Sequence, residues 1–197
     1  MPGKSVLAYL LAVALGVFPR VASAQTLPGD KIIVPGVRIG GALLEQADQG
    51  ALVRDLGEPD QTTQRGDHEF YVYREAAPDV PPPPASSAGM TLPKTVPRPD
   101  PPPFELMIEF DLTKDAPFEI STASPFYRTR DGLGVGSTAA EIHTALGAPL
   151  CQSVTPTGAG LIVYGTVWFS TLQGAVTRVA IRKALSPADF AALPVHC

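Results

Sequence analysis

Thr138-Ala139-Ala140-Glu141-Ile142-His143-Thr144-Ala145-Leu146-Gly147-Ala148-Pro149 decides how this chain is read. Thr138 and Glu141 have the spacing of a capping box, in which a hydroxyl and a carboxylate each satisfy a backbone N–H at a helix start. Ala139, Ile142, Ala145 and Leu146 then fall on one face at helical spacing. Gly147 stands where the helix must stop and supplies a left-handed C-terminal residue without a side-chain clash. Pro149 forbids continuation.

The same punctuation occurs 90 residues earlier, where Leu56-Gly57-Glu58-Pro59 matches Leu146-Gly147-Ala148-Pro149. Asp48 takes the place of Thr138 and Leu52 that of Ile142, and Asp is as good a helix cap as Thr. Strands follow each stop. In the first half Phe70 to Tyr73 is a short aromatic strand, and Phe104, Leu106, Ile108, Phe110 and Leu112 alternate with Glu105, Met107, Glu109 and Asp111. That period of two is the pattern of a sheet with one buried face, and Phe118 and Ile120 continue it after a turn at 114–117. In the second half Leu161 to Tyr164, Val167 to Phe169 and Ala175 to Ile181 give three strands, with turns at Gly165 and at Leu172 to Gly174. A fourth strand is expected directly after each proline.

The expected fold class is therefore α+β, with two tandem repeats, each a short helix packed on an antiparallel β-meander. The first repeat covers 25–123 and the second, with a C-terminal tail, 124–197. A proline-rich loop at 76–103 is inserted into the first, and its stretch from Pro78 to Pro103 holds 11 of the 22 prolines. Proline removes backbone donors and fixes φ, so this insertion is excluded from the sheet and favours polyproline II geometry.

The glycine-rich approach through Gly132, Gly134 and Gly136, the Ser/Thr cap, the acidic residue, the Leu-Gly-x-Pro stop and the Tyr-bearing sheet resemble the BamE-like SmpA/OmlA units of bacterial envelopes. In tandem they are also similar to the β-lactamase inhibitory protein. The resemblance covers most of Val34 to Arg182 apart from the proline-rich loop. It implies a helix on an antiparallel sheet, a periplasmic or secreted setting, and binding to proteins without chemistry of its own. The chain departs from both kinds: it lacks the lipidated Cys of the lipoproteins, and Cys151 and Cys197 stand alone where the inhibitory protein has disulfides inside each unit.

The N-terminus reads as an export signal. Lys4 precedes an uncharged, apolar run from Ser5 to Phe18, shorter than the roughly 20 residues that span a bilayer. Ala22-Ser23-Ala24 then supplies small residues for signal-peptidase cleavage before Gln25, which makes residues 1–24 a signal peptide. No second apolar run of spanning length follows, so no transmembrane anchor is expected after cleavage, and the localisation expected is periplasmic or secreted. The net charge of -4 and pI near 5.3 lack a basic block, which argues against nucleic acid as a partner.

The two cysteines, Cys151 and Cys197, form a candidate disulfide in an oxidising compartment. Closing that loop would stabilise the fold by about 4 kcal/mol in the chain-entropy treatment. Two free thiols, or a weak metal chelate through His196, are the other readings of the pair.

No motif for catalysis, cofactor or metal binding is found. Gly132, Gly134 and Gly136 have the wrong spacing for a phosphate loop and no following lysine. His68 lies between Asp67 and Glu69, but neighbours on a strand point to opposite faces. His143 has no ligand partner at helical spacing, and Glu141 is already employed as a cap. Tyr127, Arg128, Arg130, Tyr164 and Trp168 form the candidate partner surface, centred on the junction between the repeats, because aromatic and arginine side chains favour protein contacts. The function expected is a non-catalytic, exported protein-binding adaptor or structural protein of the cell envelope, whose partner is an envelope or secreted protein. The alternative is an inhibitor of a secreted enzyme such as a β-lactamase or a cell-wall hydrolase.

Overall fold

Alternating burial along the strands builds most of this protein. In the computed structural model, which describes residues 27, 29–46, 48–74 and 104–184, Leu106, Ile108 and Phe110 are buried while Met107 and Glu109 between them are partly exposed. The expected signal peptide 1–24, the proline-rich loop 76–103 and Cys197 lie outside the described residues.

The elements in chain order are β1 (Ile32–Val34), β2 (Arg38–Ile39), β3 (Ala42–Leu43), α1 (Gln49–Leu56), β4 (Gln61–Arg65), β5 (His68–Tyr73), β6 (Leu106–Asp111), β7 (Ala116–Thr122), β8 (Arg128–Thr129), α2 (Ala139–Leu146), β9 (Cys151–Val154), β10 (Ala159–Tyr164), β11 (Val167–Leu172) and β12 (Ala175–Arg182). One sheet has four strands in the order β3-β2-β1-β8, the other eight in the order β4-β5-β6-β7-β12-β11-β10-β9. Every pairing in the larger sheet is antiparallel. The smaller sheet joins β1 to β8 in parallel, with Ile33 opposite Thr129.

This architecture corrects the expected fold class. The chain is not an α+β tandem repeat with a helix packed on a separate meander in each half. It is mostly β, with two helices of eight residues each among the described residues. The physical reason lies at β7 and β12, where Glu119 to Thr122 pair with Arg182 to Val179 and fuse the strands of both halves into one continuous sheet. The short strands at 32–43 and 128–129 add a second sheet that strand periodicity did not signal, since two or three residues are too few to show a period.

One apolar core lies between these layers. It takes Leu52 and Leu56 from α1 and Ile142 from α2, Ile33 and Ile39 from the small sheet, and Tyr71, Ile108, Phe110, Phe169 and Ile181 from the large one. The helix starts are set by side chains. Asp48 accepts from the Ala51 N–H at 2.6 Å, and Thr138 and Glu141 form a reciprocal capping box. At the helix ends Gly57 has φ 87° and ψ 179°, and Gly147 has φ 79° and ψ −148°. Both pairs of angles lie in a region open essentially to glycine alone. A tyrosine from the large sheet ties down each stop: the Tyr73 hydroxyl donates to the Gly57 carbonyl at 3.2 Å and the Tyr164 hydroxyl to the Gly147 carbonyl at 2.6 Å.

Candidate functional site

The core occupies one face of the eight-stranded sheet, and side chains of opposite parity form the other. On β12, Val179 and Ile181 enter the core, so Arg178, Ala180 and Arg182 stand on the far face. Likewise Tyr71 and Tyr73 place His68 and Phe70 there, and Ile108 and Phe110 place Glu109 there. A bulge completes the set. The register between β6 and β7 shifts between Glu109 and Phe110, leaving Phe118 as an extra residue. A bulge re-aims side chains locally, and Phe118 turns to the same side as Glu119.

These side chains contact one another directly. The Arg182 guanidinium lies 4.2 Å from the centre of the Trp168 ring and 5.2 Å from that of Phe118. The His68 ring meets Phe118 edge-on, with centroids 5.5 Å apart, and His68 Nδ1 is 3.0 Å from Glu109 Oε1. Beneath the stack, Arg182 Nε donates to Glu119 Oε2 at 2.5 Å. Arg178 contacts the other Glu119 oxygen. The Glu119 side chain is 1% exposed, while those of Arg178 and Arg182 are 33% and 21% exposed. Burial pulls both guanidinium groups below the usual arginine value, and for Arg178 the neighbouring Arg182 adds to it. They stay charged, since arginine does not deprotonate in proteins.

A shallow cleft of about 170 Å³ borders this stack, lined by Asp111, Lys114, Phe118 and Lys183 among others. The Asp111 carboxyl is held down at about 2, first by the Thr113 hydroxyl, which donates to it, and then by Lys114.

The five residues of the expected partner surface do not come together. Tyr127 is 2% exposed. Its hydroxyl donates to Glu105 Oε1 at 2.9 Å and accepts from Lys31 Nζ at 3.1 Å, and the Lys31 ammonium lies over its ring at 4.6 Å. Arg128 sits in β8, its backbone N–H donating to the Lys31 carbonyl, and Arg130 is exposed beyond it. Tyr164 packs against the main core, whereas Trp168 belongs to a second cluster on the opposite face. Of the five, Trp168 alone belongs to the stack. Phe118, Glu119, Arg178 and Arg182 were missed, although the spacing of Arg178 and Arg182 on a period-two strand already places both on one face.

Gly132, Gly134 and Gly136 serve the chain itself. Their N–H groups donate to the Thr129 carbonyl, the Ser137 hydroxyl and the Val176 carbonyl. A Cβ on Gly134 would fall 2.4 Å from the Tyr127 carbonyl oxygen, so this position requires glycine for close backbone approach. Cys151 is disulfide-bonded. Among the described residues, no three or more His, Cys, Asp and Glu side chains gather as a metal site, and no helix is long and apolar enough to cross a membrane.

Neither a protein-family model nor a curated protein matches the chain. Similar solved structures include an extracellular protein containing an SCP domain from Bacillus anthracis, at 8% identity over 71% of this chain and 44% of that one, with a TM-score of 0.42. The uncharacterized protein yfeY from Escherichia coli is similar over 79% of this chain and 99% of its own, at 10% identity and a TM-score of 0.43. A cysteine-rich secretory protein from Staphylococcus aureus gives 12% identity, 81% and 51% coverage, and a TM-score of 0.43. The chain thus spans about half the length of the first and third of these. At such scores and identities none of the three assigns a family or an activity.

Proposed function

We propose that this is an exported, non-catalytic protein-binding component of the bacterial cell envelope, an adaptor or structural protein that engages a folded partner through the far face of its eight-stranded sheet. The observation that carries the reading is the stack of Trp168, Arg182, Phe118 and His68 over the Glu119 carboxylate. Trp and Arg are enriched among the residues that dominate binding energy at protein interfaces. Here the arginine is already held between two rings and a carboxylate, so contact with a partner costs little further side-chain entropy. The partner fitted to this face presents an apolar loop for Phe118 and Phe70, flanked by charges of both signs to meet Glu109 and Arg178. Export rests on the leader-like residues 1–24.

The test is capture followed by measurement. The mature chain is immobilised, envelope extract is passed over it, and the retained protein is purified and its affinity determined for wild type and Phe118→Ala. Loss of a central contact worth about 2 kcal/mol weakens binding roughly 30-fold. Equal affinity of the two chains, with unchanged melting temperatures, would overturn the assignment to this face. In a parallel titration, saturable slowing of a secreted β-lactamase or cell-wall hydrolase would make the partner that enzyme and the protein its inhibitor.

A further inference from the structure

We propose that two copies of this chain join edge to edge through β9, their large sheets continuing into one another across a two-fold axis at Ser153. Among the described strands, β9 (Cys151–Val154) closes the eight-stranded sheet and pairs with β10 alone. The Thr155 N–H donates to the Ala159 carbonyl at 2.7 Å, and in an antiparallel pair alternate residues exchange bonds across the ladder. Cys151 and Ser153 therefore bond inward to their register partners Val163 and Leu161. The N–H and C=O groups of Gln152 and Val154 point out of the sheet edge.

Sheet edges are ordinarily protected by charged side chains that oppose pairing with another chain. The other end of this sheet has that protection, since β4 ends in Arg65 and lies between Asp60 and Asp67. By contrast, no Asp, Glu, Lys or Arg occurs from Ile142 to Thr177, a stretch that holds β9, β10 and β11, although such residues make up 17% of the chain. Apolar side chains stand at this edge instead. Leu150 and Val154 are each 66% exposed, more than any other large apolar side chain among the described residues.

The occupant is a second copy because the edge is complementary to itself. Run antiparallel about Ser153, Gln152 of each copy lies opposite Val154 of the other, and every outward N–H and C=O of these residues finds a partner. Neighbouring registers lose bonds, because the Leu150 N–H is already given to the Val163 carbonyl at 2.9 Å and Pro156 has no N–H. Gln152 is paired with the core residue Ile162, so Val154 also turns to the helix side of the sheet, where the two Val154 side chains become diagonal neighbours within aliphatic reach. Cross-strand neighbours share a face, so the pair presents both Trp168–Arg182 stacks on one surface. The inference goes beyond the partner proposed above and is tested without it.

Sedimentation equilibrium of the mature chain is expected to give twice the monomer mass at high concentration and the monomer mass on dilution. Val154→Lys, with a wild-type circular dichroism spectrum, is expected to raise the dissociation constant at least about tenfold, since the symmetry sets each new charge near its mate. Where that variant does not fold, hydrogen exchange on the wild type replaces it: the Gln152 and Val154 amides are expected to slow as concentration rises, with no such change in β4. A wild-type chain that stays monomeric at every concentration overturns the proposal. So does a dimer that Val154→Lys leaves intact, or one whose formation slows exchange in β4 and not in β9.

Discussion

Glu119 and Arg182 stand directly opposite one another across the pairing of β7 with β12, their side chains joined at 2.5 Å. This ion pair lies on the line where strands from the two halves of the chain meet. Replacing Glu119 with Gln removes the carboxylate that Arg178 and Arg182 share and leaves the charge of Glu109 to act on both, and breaking a buried pair in this way costs about 3–5 kcal/mol. Urea unfolding of Glu119→Gln is expected to show a loss of that size. Arg182→Met is expected to cost less, because Arg178 still neutralises the carboxylate. A Glu119→Gln protein as stable as wild type would remove the pair from the determinants of the fold.

Gly147→Ala isolates backbone strain. A Cβ at this position meets no heavy atom within 4 Å, so only the φ of 79° and ψ of −148° oppose it. The expected loss is about 1–3 kcal/mol, measured by denaturant titration. A loss of a few tenths would show that the end of α2 relaxes freely into another conformation.

Tyr164→Phe deletes a single hydroxyl whose bond to the Gly147 carbonyl is 2.6 Å long. The expected cost is about 1 kcal/mol, with faster amide exchange concentrated in the last turn of α2. Exchange accelerated evenly over the whole protein would contradict a local tether.

Acid should expose the work of Asp111. Its folded pKa of about 2 lies below the reference value of 3.8, first through the Thr113 hydroxyl and next through Lys114. A depressed carboxylate pKa contributes stability that is complete above the unfolded value and is lost as pH falls through the folded one. The dependence of melting temperature on pH between about 4 and 2 should therefore be shallower in Asp111→Asn than in wild type. Identical slopes would show that the carboxylate gains nothing on folding.

The two helix ends were legible because their signals are local. Asp48 and Thr138 cap, Gly57 and Gly147 terminate, and each acts within four residues of its own position. The strand alternation through Leu106, Ile108 and Phe110 was legible for the same reason. The pairing of Glu119 to Thr122 with Arg182 to Val179 joins segments about 60 residues apart, and neither strand alone encodes which partner it takes. Register of that kind is set by packing of whole faces. Tyr127 reads as a contact residue because two arginines follow it closely, but the carboxylate that buries it, Glu105, lies 22 residues upstream. Phe118 was hidden by the bulge, which breaks the parity used to assign faces.

The antiparallel line between β7 and β12 makes each half of the molecule a template for the other. A chain divided between β7 and β8 yields two pieces, one with open edges at β7 and β1 and the other at β12 and β8, and each edge missing from one is an edge offered by the other. Expressed separately and mixed, such pieces should find each other and restore the eight-stranded sheet, turning the protein into a two-part reporter whose reassembly can be followed by the fluorescence of Trp168.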